Sequence, residues 1–98
     1  MGHRTKLGQE VHDRKVGEVA RRLEQAGFDV SADLPGHRRP PALGGHVPDV
    51  VAVKGNRILI REIETQGTIA ADRTQHEAFQ RAADQAGADF RVLKAKKK

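Results

Sequence analysis

Three acidic residues around a predicted β-hairpin are the side chains of this sequence most suited to chemistry. Asp49 begins the strand-prone run 49–53 (DVVAV), and Glu62 and Glu64 lie at the end of the run 58–64 (ILIREIE). Between the two runs lies a Gly-Asn pair, which is a strong signal for a two-residue hairpin turn. Carboxylates gathered in one place can hold a divalent cation, and such a cation activates water and stabilises charge on a phosphate group.

The register of this hairpin follows from its turn. A two-residue turn makes Lys54 the partner of Arg57, and counting outward along both strands brings Asp49 opposite Glu62. Directly opposed residues share a face, with Cβ atoms about 4.5–5.5 Å apart. Glu64 shares that face because alternate residues of a strand point the same way. The sequence therefore predicts three carboxylates that converge at the open end of the hairpin, unless a β-bulge shifts the register.

The same face is otherwise apolar, so ionised acids on it would destabilise the fold. Its remaining positions are expected to be core residues: Val51, Val53, Ile58 and Ile60. Like charges opposed beside a core are destabilising without compensation. A hard divalent cation would supply that compensation, since Mg²⁺ is held by one or two carboxylates together with waters and substrate phosphate.

Ordinary ion pairing is the alternative explanation for these acids. Lys54, Arg57 or Arg61 could pair with them at a solvated strand end. Arg61 fits this alternative poorly, because odd-numbered positions of its strand point to the opposite face. Isolated acids on strands are usually surface residues, but three on one face beside a Pro-Asp turn favour a site.

Two helices and two further strands are predicted to frame the hairpin. Apolar residues at helical spacing predict helices over about residues 9–26 and 70–86, each followed by a glycine suited to end it. Short strands are predicted at 28–30 and 90–93. The order α-β-β-β-α-β indicates an α/β fold with a mixed sheet of about four strands flanked by two helices.

A long loop over residues 34–48 precedes the first acid. It contains all four prolines of the chain, which exclude a helix there. It also carries His37, Arg38, Arg39 and His46 and no acid. Loops this long in small domains are often functional, although a plain connection is the alternative.

Composition limits the class of protein. The net charge is +5, and residues 91–98 contain five basic residues and no acid, so the remaining residues balance at 13 basic and 13 acidic. We expect a single domain over residues 1–93 and a basic tail over 94–98.

The absence of cysteine excludes a disulfide scaffold and a cysteine zinc site. No apolar run is long enough to span a membrane and no secretory signal is visible, so a cytoplasmic location is expected.

Pro48-Asp49 followed by Glu62-Ile63-Glu64 on the second hairpin strand resembles the motif of the PD-(D/E)XK nuclease superfamily. The resemblance covers about residues 10–93 and is closest to small enzymes of the Holliday-junction-resolvase and VRR-nuclease type. It implies a restriction-endonuclease-like core and a Mg²⁺ or Mn²⁺ site with Asp49 and Glu62 as ligands. The superfamily usually has lysine where this chain has Glu64. The resemblance therefore implies either that Glu64 acts as a general base or further metal ligand, or that the chain is an inactive relative.

Two weaker matches extend the resemblance. The superfamily often supplies an acid from the first helix, and Glu18 or Glu10 is the candidate here, although a solvated helix acid is the simpler interpretation. Gln75-x-x-x-Phe79 resembles the Gln-x-x-x-Tyr element of RecB-like nucleases, which implies that Gln75 faces the metal site and Phe79 the core.

The function implied is a metal-dependent DNA endonuclease that hydrolyses phosphodiester bonds. The limited length favours recognition of DNA shape or ends over base sequence, and a homodimer would place two sites on opposite strands. Phosphate contacts are expected from basic residues of the loop and tail: Arg38, Arg39, His46, Lys94, Lys96, Lys97 and Lys98.

Two other functions remain open. One is a catalytically inactive nucleic-acid-binding or assembly module with the nuclease fold, and the other is a small basic RNA-associated protein whose acids are surface residues. The remaining histidines His3, His12 and His37 show no ligand spacing and are expected at the surface. The pair His76-Glu77 lacks the second histidine of a zinc-protease motif.

Overall fold

A computed structural model of the chain describes residues 6–65 and 73–95. Its elements follow the predicted order and confirm the α/β class. Their bounds are α1 Lys6–Gln25, β1 Asp29–Ala32, β2 Val50–Lys54, β3 Arg57–Glu64, α2 Arg73–Ala86 and β4 Asp89–Lys94. The predicted first turn of the second helix, residues 70–72, lies outside the described residues.

The four strands form one mixed sheet in the order β1-β2-β3-β4. β2 pairs antiparallel with both β1 and β3, whereas β3 and β4 are parallel. A parallel pair needs a crossover connection, and α2 lies within it. β3, which carries both glutamates of the motif, is therefore an interior strand with partners along both edges.

The hairpin has the predicted register. Lys54 pairs with Arg57, and the β2–β3 ladder continues in step to Val50 and Arg61. Gly55 has a φ of 60°, which suits the turn. No bulge interrupts the paired residues, so the acids lie where the count from the turn places them.

The two helices cover opposite faces of the sheet. One face packs against α1 in a cluster of buried apolar side chains: Val16, Val19, Ala20, Phe28, Val30, Ala32, Val50, Ala52, Leu59, Ile63 and Ala95. The other face carries Val51 and Ile60, which are buried, and it is met by α2 with the fully buried ring of Phe79. Both glutamates of β3 belong to this second face by alternation, and both contact side chains of α2.

The expected core on this second face is wrong at its turn end. Val53 is 40% exposed and Ile58 is only partly buried. Both residues lie beside the hairpin turn, whereas the side-chain hydrogen bonds of α2 with β3 are at the opposite end, around the acids. The sequence showed which residues share a face but not how far along it the helix extends.

Both predicted glycines end their helices. The N–H of Phe28 donates to the Leu23 carbonyl at 3.0 Å, and Gly27 between the helix and this residue has a φ of 93°. The N–H of Ala88 donates to the Ala83 carbonyl at 2.8 Å in the same way. A left-handed glycine satisfies the last carbonyls of a helix and turns the chain back toward the sheet.

The proline-rich loop packs onto α2 beside the acids. A Cβ atom on Gly44 would lie 3.2 Å from that of Ala78, so glycine allows this close approach. The ring of His46 meets Phe79 edge-on, with 6.2 Å between the ring centroids. The loop therefore belongs to the same side of the sheet as the site.

The described chain beyond residue 93 continues along the sheet. Lys94 is the last residue of β4, where it pairs with Glu64, and Ala95 is 5% exposed. The N–H of Ala95 also donates to the Glu64 carbonyl at 2.8 Å. These two residues are part of the sheet and its core, while Lys96, Lys97 and Lys98 lie outside the described residues.

Candidate metal centre

The site begins where the β2–β3 ladder ends. Beyond Val50 the strands no longer exchange ladder bonds, and the side chain of Asp49 takes their place. Its Oδ2 accepts the backbone N–H of Ile63 at 2.8 Å, while its own N–H donates to Oε1 of Glu62 at 3.1 Å. These two bonds confirm that Asp49 lies beside Glu62 and fix both carboxylates at the open end of the hairpin.

All three acids of the motif are buried. The exposed fraction is 8% for Asp49, 3% for Glu62 and zero for Glu64. Burial, and next the negative charge of Asp49, raise the pKa of Glu62 to about 9, and the charge of Glu64 adds to this. Glu62 therefore keeps a proton at neutral pH unless another positive charge enters the site. The acids are not the solvated strand-end residues of the alternative interpretation.

Arg61 does not neutralise them. As its position in the strand predicts, it lies on the opposite side and donates to Oδ2 of Asp89 at 2.9 Å and to the Asp89 carbonyl at 2.8 Å. Lys54 donates to the Ala26 carbonyl, and its ammonium lies 5.7 Å from the Phe28 ring centroid. Arg57 also stacks on Phe28. All three bases proposed as partners therefore have other contacts.

A histidine of α2 completes a group of potential metal ligands. Nε2 of His76 lies 2.8 Å from Oε2 of Glu64. Among the residues that the structure describes, Glu62, Glu64 and His76 offer ligand atoms that all lie within 4.8 Å of one another. Two carboxylates and an imidazole at this spacing could hold a metal ion. The ligands predicted from the sequence included Asp49 and did not include His76. In the structure, Asp49 lies next to this group of ligands and is hydrogen-bonded to Glu62.

A second unpredicted histidine supports Asp49 from the other side. His12 of α1 is 6% exposed, so the expectation that it lies at the surface is wrong. Its Nε2 lies 3.1 Å from Oδ2 of Asp49, and its Nδ1 lies 3.0 Å from Oδ1 of Asp13. The burial of His12 could have been predicted from the sequence, because His12 precedes Val16 by four residues and therefore shares the sheet-facing side of the helix.

Gln75 of α2 contacts one of the buried acids. Its side-chain amide donates to Oε2 of Glu62, and Phe79, one turn later, is fully buried. Gln75 thus fixes one oxygen of Glu62 while the N–H of Asp49 fixes the other. His76 could have been found by the same reasoning, since it lies three residues before Phe79 and so on the same side of the helix.

The candidate acids of α1 lie apart from the site. Glu18 is paired with Lys15 and Arg22, each at 3.2 Å, and the Lys15 ammonium with its hydrogen bond lowers the pKa of Glu18. Glu10 is exposed. Among the described residues, α1 therefore reaches Asp49 through the imidazole of His12.

The predicted phosphate-binding residues lie in different parts of the fold. Lys94 is exposed and is the β4 partner of Glu64, so it lies at the edge of the site. Arg39 is exposed, and Arg38 is exposed but paired with Asp29. His46 is partly buried against Phe79.

Comparison with known proteins adds no relative. No protein-family model matches the chain, and no curated protein matches it. None of the helices in the described ranges is long and apolar enough to cross a membrane. The distances and contacts within the site therefore carry the functional conclusion.

Proposed function

We propose that this protein is a metal-dependent DNA endonuclease that hydrolyses phosphodiester bonds and selects DNA by structure or ends. The observation that carries the proposal is the placement of Asp49, Glu62 and Glu64, all buried and side by side where the β2–β3 ladder ends. The motif resembles that of the PD-(D/E)XK superfamily, and the element order is the one that superfamily uses.

A divalent cation, Mg²⁺ or Mn²⁺ as the resemblance implies, would supply a bound water that deprotonates readily and a positive charge beside the phosphate. The donor set fits such a cation, because three buried carboxylates lie together and burial with the charge of Asp49 raises the pKa of Glu62. Asp49 and Glu62 are the ligands that the motif implies. Their oxygens are already oriented by Ile63, His12 and Gln75.

Glu64 has the role of general base or of a further metal ligand in this proposal. Its Oε2 lies at hydrogen-bonding distance from His76, so the carboxylate is held in one orientation. A carboxylate held in this way could take a proton from an attacking water or bind the cation. The lysine usual at this position would instead position the water as a cation.

DNA would be held through its phosphates. Lys94 and Arg39 offer exposed charges, and Lys96 and Lys97 follow Lys94 in the sequence, outside the described residues. Arg38 is paired with Asp29, so it would contribute less to phosphate binding than Arg39. Phosphate contacts position a protein on DNA without distinguishing sequence. A homodimer, which the resemblance implies, would bring two such sites to opposite strands.

One observation favours a second function. Glu64 replaces the lysine of the motif, is fully buried and is bonded to His76. A buried, paired acid at this position is what an inactive relative would retain for stability. The second candidate is therefore a nucleic-acid-binding or assembly module with a nuclease-like fold and no turnover.

Cleavage assays separate the two candidates. The protein is incubated with branched, linear and circular DNA in Mg²⁺ and in Mn²⁺, with Asp49→Asn as the inactive variant and Glu77→Gln, an exposed change on α2, as the matched control. Cleavage by the wild type and by Glu77→Gln but not by Asp49→Asn supports the nuclease. DNA binding without cleavage of any substrate supports the second candidate and rejects the first.

A further inference from the structure

We infer that His76 is a ligand of the cation together with Glu62 and Glu64, and that the centre selects first-row transition ions, of which Mn²⁺ and Zn²⁺ are the probes, over Mg²⁺. The inference deepens the proposed function, since it names the metal class of the same site. It is measured by metal binding, so it can fail or succeed independently of DNA cleavage.

The spacing of His76 and Glu64 suits two ligands of one ion. Their Nε2 and Oε2 atoms are 2.8 Å apart. With metal–ligand bonds of about 2.1 Å, neighbouring ligands of an octahedral ion lie about 3.0 Å apart. The third donor, a carboxylate oxygen of Glu62, lies within 4.8 Å of both. Small side-chain adjustments would therefore bring all three donors to one ion.

The nitrogen donor determines which ions this set prefers. Mg²⁺ is bound through oxygen and gives up its waters reluctantly. Imidazole suits Zn²⁺, Fe²⁺, Ni²⁺ and Cu²⁺, while carboxylates also suit Mn²⁺. A set of two carboxylates and one imidazole therefore gains affinity for transition ions from His76, whereas Mg²⁺ gains little from it.

The surrounding packing holds the imidazole in place. His76 has a side chain that is only 15% exposed, and its ring centroid lies 6.3 Å from that of Phe90. It lies one turn before Phe79 on α2, whose ring is fully buried. The Glu64 side chain is fully buried, and its backbone carbonyl accepts the N–H of Ala95. Little ordering entropy is then lost when the ion binds, which favours affinity.

Metal binding is compatible with the present hydrogen bond. A metal-bound imidazole is neutral and a metal-bound carboxylate is ionised, so the proton shared by Nε2 of His76 and Oε2 of Glu64 and the proton held by Glu62 would leave to solvent as the ion binds. The imidazole would then carry its one remaining proton on Nδ1, and each ligand atom would donate a lone pair to the ion. No oxidant or further reactant takes part.

The test uses the full chain without DNA. Calorimetric titrations compare Mn²⁺, Zn²⁺ and Mg²⁺ for the wild type, for His76→Gln and for His37→Gln, a loop histidine outside the ligand group. We expect Mn²⁺ and Zn²⁺ to bind the wild type and His37→Gln at least about tenfold more tightly than Mg²⁺ does. His76→Gln is expected to lose at least about tenfold in Zn²⁺ affinity while its Mg²⁺ affinity stays within about twofold.

A second measurement needs no variant. The wild type is labelled at its histidines and followed by NMR. Zn²⁺ is expected to shift the ring-nitrogen signals of His76 by the amount typical of direct coordination. Mn²⁺ is expected to broaden the signals of His76 at lower concentration than those of the other histidines. This result decides the case if His76→Gln does not fold. Equal affinity for Mg²⁺ and Zn²⁺, or unshifted His76 signals at saturating Zn²⁺, would overturn the inference.

The outcomes for metal and for cleavage are distinguishable. Selective Zn²⁺ binding lost in His76→Gln, with no cleavage of any DNA, keeps this inference and rejects the nuclease. Cleavage by the wild type, together with a Zn²⁺ affinity that His76→Gln leaves unchanged, keeps the nuclease and rejects His76 as a ligand.

Discussion

The imidazole of His12 lies 3.1 Å from the carboxylate of Asp49, although the two residues are 37 positions apart in the chain. The contact joins α1 to the end of β2, and both partners are buried. The same Asp49 oxygen accepts the backbone N–H of Ile63 from β3. One carboxylate oxygen therefore ties together the first helix and both strands of the hairpin.

Replacing His12 by leucine is expected to destabilise the fold and to loosen Asp49. The substitution keeps much of the volume but leaves a buried carboxylate without one of its partners, which costs about 1–3 kcal/mol. Urea unfolding measures the loss, and DNA cleavage, if present, should fall with it.

His37→Leu is the comparison for this variant, because His37 lies in the loop and makes no hydrogen bond to Asp49 or to the described residues of α1. A free energy of unfolding that is equal in His12→Leu and the wild type would show that the His12 contact contributes nothing to stability.

The raised pKa of Glu62 predicts how stability depends on pH in the metal-free protein. The pKa is 4.5 for an ordinary glutamate and about 9 here, so the folded protein holds a proton that the unfolded chain releases between these values. The contribution of Glu62 to the free energy of unfolding is therefore fully present below about pH 4.5 and is lost as pH rises toward 9. Melting temperatures measured in a chelator should show this fall.

Glu62→Gln isolates the effect, because an amide stays neutral across the whole range. As the pH is raised from 5 to 9, the melting temperature of Glu62→Gln should increase relative to that of the wild type. Glu77→Gln, an exposed change on α2, should follow the wild type. A difference for Glu62→Gln that does not change with pH would contradict the raised pKa.

The sequence predicted the framework because its signals are local. The Gly-Asn turn determined the hairpin register, and Gly27 and Gly87 ended the helices as their positions indicated. The exposure of Val53 was not predictable in this way. It depends on where α2 lies along the sheet, which no alternation pattern contains.

The site was predictable only in part, for the same reason. Asp49 and Glu62 meet because one turn sets their register, so counting sufficed. His12 and His76 come from separate helices, and their contacts depend on how each helix rotates and slides over the sheet. Helical spacing gave the correct face for both histidines, but it could not indicate which acid each one reaches.

Adding metal should stabilise the protein in proportion to its affinity. A ligand that binds only the folded state adds about 2.7 kcal/mol at a concentration of one hundred times its Kd. We expect a melting temperature that rises with Zn²⁺ or Mn²⁺ and returns to its starting value with a chelator. Glu64→Gln should lose most of this rise, whereas Glu77→Gln should keep it. A rise of equal size in Glu64→Gln would place the bound metal elsewhere.

Lys94→Ala is expected to weaken DNA binding without changing metal binding. Lys94 is exposed and is the β4 partner of Glu64, so its ammonium is positioned to meet a phosphate beside the site. Loss of one phosphate contact should lower the slope of log affinity against log salt by about one, with a similar effect on every DNA sequence. Binding measured at several salt concentrations gives the slope. Arg22→Ala, which removes an exposed charge of α1 that pairs with Glu18, should leave it unchanged. An equal loss in both variants would mean that the site end of β4 does not contact DNA, because the effect would then follow from net charge alone.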